Sequence, residues 1–338
     1  MFSIELTESS SCNTLIRNFF SQISVKTISF EKLFPSIFEY VQEEIVNKTV
    51  NCTLILKYPI NISYQKQFLK AFIEYLEKQN STVADCVFDA FGRLVALPYP
   101  SSNFCYTYHL IAKNENSGCI PLILLKENIN IISEGTTGLK VWQASQMLAE
   151  WVLQNPTYVE NRKILELGSG IGLTGLIVSN LAKPSKYILT DCHPTVLSVL
   201  SDNVKLNTNM KPEDCDVINV YSLVNPTSIE VKELFWEKTN TDSCKTYGAV
   251  DLIFAADVVY DSDIFQPLLN TVKIFLLNGT KEAIFACTER NTETLKCFWN
   301  ACDLQGLKIE FLQPPEPQHL YWQSDIPIVL AKIKLSDE

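Results

Sequence analysis

From residue 163 onward the chain alternates short apolar runs with helix-forming segments, and no other feature restricts its fold so strongly. The runs are KILELG (163–168), KYILTD (186–191), VDLIFAADV (250–258), EAIFACTE (282–289), KIEFL (308–312) and IPIVLAKIKL (326–335). Helical patterns at 172–182, 194–207, 262–277 and 292–305 fall between most of them. Near-continuous apolar strands separated by helices predict a parallel sheet covered on both faces. The last two runs are joined by a loop with three prolines and no helix, which predicts a closing antiparallel hairpin. One further strand must come from 208–249, where VINVYSLV (217–224) and IEVKELFW (229–236) both qualify.

Ahead of this region the pattern differs. TLIRNFFSQI and YQKQFLKAFIEYLEKQ carry apolar residues three and four apart, the spacing of a helix with one buried face. YPSSNFCYTYHLI and CIPLILLKE then read as strands. The expected organisation is a mostly helical accessory domain over 1–130, followed by a second domain over 131–338. The second domain opens with an amphipathic helix in LKVWQASQMLAEWVLQN that Pro156 ends.

Charge narrows the function. The net formal charge is −10, which argues against a sequence-independent hold on nucleic acid, since that needs Lys and Arg to neutralise phosphates. Residues 1–130 carry 11 basic and 12 acidic side chains, so nearly all the excess lies in the second domain, as would suit a basic partner or substrate. No apolar run reaches the roughly 18 residues that span a bilayer, and the first residues lack a secretory pattern. The 11 cysteines and 3 histidines show neither a disulfide framework nor a metal-ligand spacing. A cytosolic protein with no metal and no membrane contact is expected.

The stretch KILELGSGIGLTGL (163–176) carries the chemistry. Gly168, Gly170 and Gly172 follow a strand and open a helix, so the backbone can turn tightly and bring the helix N-terminus to a ligand. A dinucleotide fingerprint asks for a third glycine where Leu173 stands, which weakens an NAD reading. Asp191 ends the next strand about twenty residues on, where a carboxylate accepts ribose hydroxyls. Glu166, two residues before Gly168, gives E-x-G-x-G-x-G, the form found in S-adenosylmethionine-dependent methyltransferases. An acid there helps receive a cationic methionine portion and would repel a pyrophosphate.

GTTGLKVWQASQMLAEWV, ILELGSGIGLTGL, TDCHPTVLSVLSDNVKLN and AADVVY together resemble the seven-strand lysine methyltransferases of family 16. The likeness is close over 131–310 and weaker over 1–130. It implies a Rossmann-like seven-strand S-adenosylmethionine-dependent methyltransferase fold and transfer of a methyl group to a protein lysine. It further implies elongation factor 2 as the protein modified, and an enzyme working as a monomer. Methylation of another protein's lysine, or a non-catalytic cofactor-binding module, stand as alternatives.

The resemblance also implies residue roles. Trp142 flanks the cofactor pocket; Gly168, Ser169 and Gly170 form the cofactor loop; Asp191 takes the ribose. Trp236 closes the third strand near the adenine, which favours 229–236 for that strand. Asp257 and Tyr260 form the family's D-x-x-Y signature, with Ala256 just before it, at a strand end where ligands bind in parallel sheets. Asp257 is expected to orient the incoming ammonium, and Tyr260 to shape a narrow channel. Gln143 departs from the residue that often follows the tryptophan. His193 is expected at a helix start near the surface.

Overall fold

A computed structural model describes residues 1–98, 102–112, 118–208, 227–322 and 324–336. The chain divides into two compact units, the first formed by residues 1–130 and the second beginning at Ile131.

Among the described residues the first unit sets six α-helices beside a small sheet. In chain order it contains β1 (Phe2–Glu5), α1 (Ser10–Phe20), α2 (Phe30–Leu33), α3 (Glu39–Lys48), α4 (Thr53–Lys57), α5 (Ile62–Lys78), α6 (Asp85–Ala96), β2 (Phe104–Leu110) and β3 (Cys119–Asn128). β3 pairs antiparallel with both β1 and β2. The periodicity of α5 buries Phe68, Leu69, Phe72, Tyr75 and Leu76 on one face, and Asn61 caps it by accepting from the Ser63 N–H. Phe19 of α1 packs edge-on against Phe68 at 4.8 Å, while Phe20 meets Tyr108 of β2 at 5.1 Å, so one helix ties the helical layer to the sheet.

The second unit is a seven-strand α/β fold. It runs α7 (Gln143–Gln154), β4 (Lys163–Leu167), α8 (Leu173–Leu181), β5 (Lys186–Asp191), α9 (Pro194–Thr208), β6 (Ser228–Glu233), α10 (Thr241–Lys245), β7 (Leu252–Ala256), α11 (Phe265–Leu277), β8 (Glu282–Thr288), α12 (Thr292–Leu304), β9 (Leu307–Leu312) and β10 (Ile328–Leu335). The strand order is β6-β5-β4-β7-β8-β10-β9, parallel except for β10, which runs antiparallel between β8 and β9. This is the expected methyltransferase-type sheet with its closing antiparallel pair. The strand left open between two segments is formed by 228–233. The competing segment, 217–224, lies outside the described residues.

Alternation along each strand sends neighbouring residues to opposite faces. Ile164, Tyr187, Leu189, Phe254 and Ile284 join Met147, Leu148 and Val178 on the face carrying α7 and α8. Leu165, Ile188, Ile253 and Phe285 join Leu268, Val272 and Phe298 on the face carrying α11 and α12. All seven residues of β8 are buried, as a central parallel strand requires. Among the described residues no helix is long and apolar enough to cross a membrane.

A buried acid fixes the proline-rich connection before β10. Glu150 of α7 is fully buried and accepts the backbone N–H groups of Gln318 at 3.0 Å, His319 at 3.0 Å and Leu320 at 2.9 Å, together with the Gln154 amide at 2.8 Å. The His319 ring lies 3.0 Å from the same carboxylate. This one side chain thus accepts three successive backbone N–H groups of the proline-rich loop. Glu150→Leu is expected to destabilise the protein by about 3 kcal/mol or more, because it strands several buried donors. Glu150→Gln, which keeps one acceptor oxygen, should lose less. Urea unfolding followed by far-UV circular dichroism measures both, and a loss below about 1 kcal/mol for the leucine variant would show that water replaces the carboxylate.

Candidate functional site

β5 lies on one side of β4 and β7 on the other, so the connections leaving β4 and β7 diverge and open a crevice at the carboxyl ends of the strands. A cavity of about 440 Å³ fills that crevice, within the range of small-molecule sites. It lies wholly in the second unit. Trp142, Glu166, Gly168, Ser169, Gly170, Asp191, Trp236, Ala256, Asp257 and Tyr260 all border it. The site residues picked from the sequence are thus brought together around one cavity.

The glycine loop is built around positive φ angles, 61° at Gly168 and 51° at Gly170. A Cβ on Gly168 would lie 2.7 Å from Val258 Cγ1, with the Trp236 ring next at 3.5 Å; on Gly170 it would lie 3.1 Å from the Gly138 carbonyl oxygen. Both the backbone conformation and the space therefore demand glycine. Ser169 anchors this loop to β5: its N–H donates to the Thr190 carbonyl at 2.7 Å, and its hydroxyl accepts the Thr190 N–H at 2.9 Å. Its side chain is engaged in holding the loop's shape.

The three acids differ in their surroundings. Asp191 ends β5 and accepts N–H groups from Gly170 at 3.3 Å, Cys192 at 2.8 Å and His193 at 3.1 Å. Burial raises its carboxyl above the ordinary range despite those bonds. Glu166, from inside β4, is 2% exposed and receives the Tyr187 hydroxyl at 2.8 Å. Burial pushes it up to about 8, against the pull of hydrogen bonds from Tyr187, Thr174 and Gly175. It borders the cavity with its carboxyl engaged beneath the floor.

Asp257 follows β7 with φ at 55°, unusual for a residue bearing a side chain. Its side chain is only 3% exposed. One oxygen accepts the Thr288 N–H at 2.9 Å, the other the Thr288 hydroxyl at 2.9 Å, and Arg290 forks across both at 3.0 and 3.5 Å. The Arg290 guanidinium lies 4.6 Å over the Trp142 ring, whose indole N–H donates to the Thr137 carbonyl at 3.2 Å. Tyr260 is 60% exposed and borders the cavity.

Thr288 and Arg290 escaped the sequence reading because they sit 31 and 33 positions beyond Asp257. The available signal was the ending CTER on the strand after VDLIFAAD, which places an arginine at the ligand-binding edge beside Asp257. Trp236 lies three residues past β6 in a short 3-10 turn, with its ring toward Gly168. His193 precedes α9, borders the cavity and contacts the Glu134 carbonyl at 3.2 Å, and its other ring nitrogen is buried without a partner. Among the described residues no group of three or more His, Cys, Asp or Glu is placed to hold a metal ion.

A family model described as lysine methyltransferase matches residues 125–303. A human relative named protein-lysine N-methyltransferase EEF2KMT is 30% identical over 294 residues, 86% of this chain and 84% of its own. Its bovine counterpart is 29% identical over 90% of each chain. The relative named protein-lysine N-methyltransferase EFM3 from Chaetomium thermophilum is 26% identical over 80% of this chain and 83% of its own.

The raised Glu166 carboxyl has a consequence for stability. A group whose pKa is higher folded than unfolded stabilises fully below its unfolded value, near 4.5, and that contribution fades as pH rises through about 8. The wild-type protein should therefore lose stability between pH 5 and about 8 relative to Glu166→Gln, which keeps a neutral partner for Tyr187. Parallel urea titrations across that range measure the difference, and curves that stay parallel would mean that Glu166 is ionised in the folded protein.

Proposed function

Because the chain belongs to the lysine methyltransferase family, we propose that it methylates a lysine of elongation factor 2 and that its first unit selects this substrate. The observation that carries the reading is the length of the likeness. Coverage of 86–90% of the chain is too long to be confined to the second unit, so the first unit is shared with relatives whose name includes this substrate. The acidic balance of the chain, −10 overall, suits a basic segment around the target lysine and speaks for a protein substrate over nucleic acid. We read the enzyme as a monomer of the cytoplasm.

The cavity fits S-adenosyl-L-methionine. The crowding around Gly168 and Gly170 leaves a loop bare of side chains, as close approach of a ligand to the backbone requires. Asp191 offers a carboxylate at the end of β5 for the two ribose hydroxyls, and Trp236 presents its ring beside Gly168 for the adenine. Trp142 and Ala256 also border the cavity. Glu166 borders the same cavity two residues ahead of the glycine loop. When bound, S-adenosyl-L-methionine supplies a methyl group activated by a positively charged sulfur.

The acceptor lysine presents a second problem. Its pKa in water is about 10.4, so the protein must help the ammonium lose its proton and hold the freed amine in line. Asp257 and Tyr260 border the cavity at the β7 end, and we assign the first to orienting the incoming nitrogen and the second to walling its channel. Orientation alone is worth about 7 kcal/mol in well-aligned systems. Water carries the proton away, since neither Asp257 oxygen is free of partners.

Methyl-labelled S-adenosyl-L-methionine and a cytosolic extract from cells lacking the enzyme test the substrate. One labelled band at the size of elongation factor 2 is expected, weakened about 100-fold or more by Asp257→Ala. A different single band would keep the reaction and discard the substrate; cofactor binding without label would leave a binding module. Removing residues 1–130 tests the first unit. Cutting at that point takes away the whole β1-β3-β2 sheet and leaves the seven-stranded sheet intact. Cofactor affinity should persist while kcat/KM on the protein substrate falls by roughly tenfold or more, the loss of ~1.4 kcal/mol of recognition. Equal turnover by the truncated enzyme would remove the first unit from substrate selection.

A further inference from the structure

Asp257 sits where an incoming ammonium would need it, yet all of its hydrogen-bonding positions are occupied. Thr288 supplies two donors from the buried end of β8, and is itself 4% exposed. Arg290 supplies the fork, and its side chain is 39% exposed. The Thr288 donors are held by the strand, one of them a backbone N–H, and cannot turn away without opening the sheet. The Arg290 guanidinium hangs on a long side chain at the surface, so it can leave the carboxylate and be hydrated.

We propose that Arg290 is a positioning residue that holds the Asp257 carboxylate in the substrate-free enzyme and surrenders it to the ammonium of the acceptor lysine. The exchange replaces one cation by another, so the buried carboxylate is never left uncompensated, a state that would be strongly unfavourable. Thr288 keeps its two bonds throughout and fixes the carboxylate's orientation. The Trp142 ring, already under the guanidinium at 4.6 Å, gives the displaced arginine a surface to rest on. Arg290 thereby competes with the lysine: it sets how strongly the substrate nitrogen is held, and its charge, kept close by Trp142, disfavours holding that nitrogen as an ammonium.

The inference rests on the assignment of Asp257 to the acceptor nitrogen, and the test separates the two. n-Butylamine, which has the reactive end of any lysine side chain, is titrated calorimetrically into the full-length protein saturated with S-adenosylhomocysteine. Arg290→Gln should bind the amine roughly three- to tenfold more tightly than wild type, the range for removing a charged fork from a part-exposed pair. Arg290→Lys should return to wild-type affinity, and Asp257→Asn should lose the amine. S-Adenosylhomocysteine affinity should stay within about twofold in the arginine variants. With the protein substrate, Arg290→Gln should lower KM, with kcat falling as well. In wild-type protein, the amine should shift the Arg290 side-chain resonances by NMR, a readout that needs no variant. Unchanged amine affinity in Arg290→Gln alongside its loss in Asp257→Asn overturns the exchange and keeps the role of Asp257. Retention of the amine by Asp257→Asn overturns both. Weakened cofactor binding in Arg290→Gln, unrelieved by Arg290→Lys, would make the arginine only a prop for Trp142.

Discussion

The reversal of strand order at β4 is the constraint on which the rest depends. With β5 on one side and β7 on the other, the connections leaving β4 and β7 diverge and open a crevice between them. Apart from Trp142 ahead of α7, the residues assigned to the site are delivered to that opening by strand ends: the glycine loop by β4, Asp191 by β5, Trp236 by the turn after β6, Asp257 by β7, and Thr288 with Arg290 by β8. Parallel pairing makes this possible, since it places the carboxyl ends of all these strands on one edge. The register does the fine positioning. Ala256 faces Ala286 in the ladder, so the residues just beyond them, Asp257 and Thr288, are within reach of each other.

Three acids share this small volume, and each is compensated by a different physical device. Glu166 is buried until its carboxyl titrates near 8, so at neutral pH it serves as a mostly uncharged partner for Tyr187. Asp191 receives three backbone N–H groups and remains available to hydroxyl donors. Asp257 is matched by a full positive charge. A site for a cationic cofactor and a cationic acceptor would bind both too firmly as ions if every acid were open, because the lysine could not then lose its proton. Withholding charge at Glu166 and pairing it at Asp257 limits the electrostatic attraction the cavity offers to a cation.

The fold was legible in the sequence because its signals are local. The apolar strands, the intervening helices and the helix-free final connection predict the seven-strand sheet, and Gly168 to Gly172 mark the turn after its first strand. The residues picked from the sequence all border the cavity, most of them because they end or follow a recognisable strand, with Trp142 ahead of α7 the exception. Partnerships across the sheet were not legible. Asp257 reads from sequence as an open carboxylate, and only the pairing of β7 with β8 shows that Thr288 and Arg290 occupy it. Glu166 reads as a residue facing the cofactor, yet Tyr187, on the neighbouring strand, turns its carboxyl into the core. Side-chain direction at a strand end depends on which strand lies beside it, and a single strand's pattern does not contain that information.

α7 shows how the same sheet lends rigidity to a wall of the cavity. Its first turn is set by Trp142 at the N-cap position, where the indole N–H is held by Thr137 and the ring by Arg290. Two turns later Glu150 fastens the helix to the segment 318–320 ahead of β10. Arg290 extends from the end of β8, and β10 pairs with β8, so both attachments lead back to the same pair of strands. The helix is thereby pinned near both ends to one rigid ladder, and Trp142 has little freedom to drift from the cavity. That arrangement also bears on the exchange at Asp257. An arginine that leaves its carboxylate remains beside a ring that is itself fixed, so its return after the product lysine departs requires the motion of one side chain and no movement of the backbone.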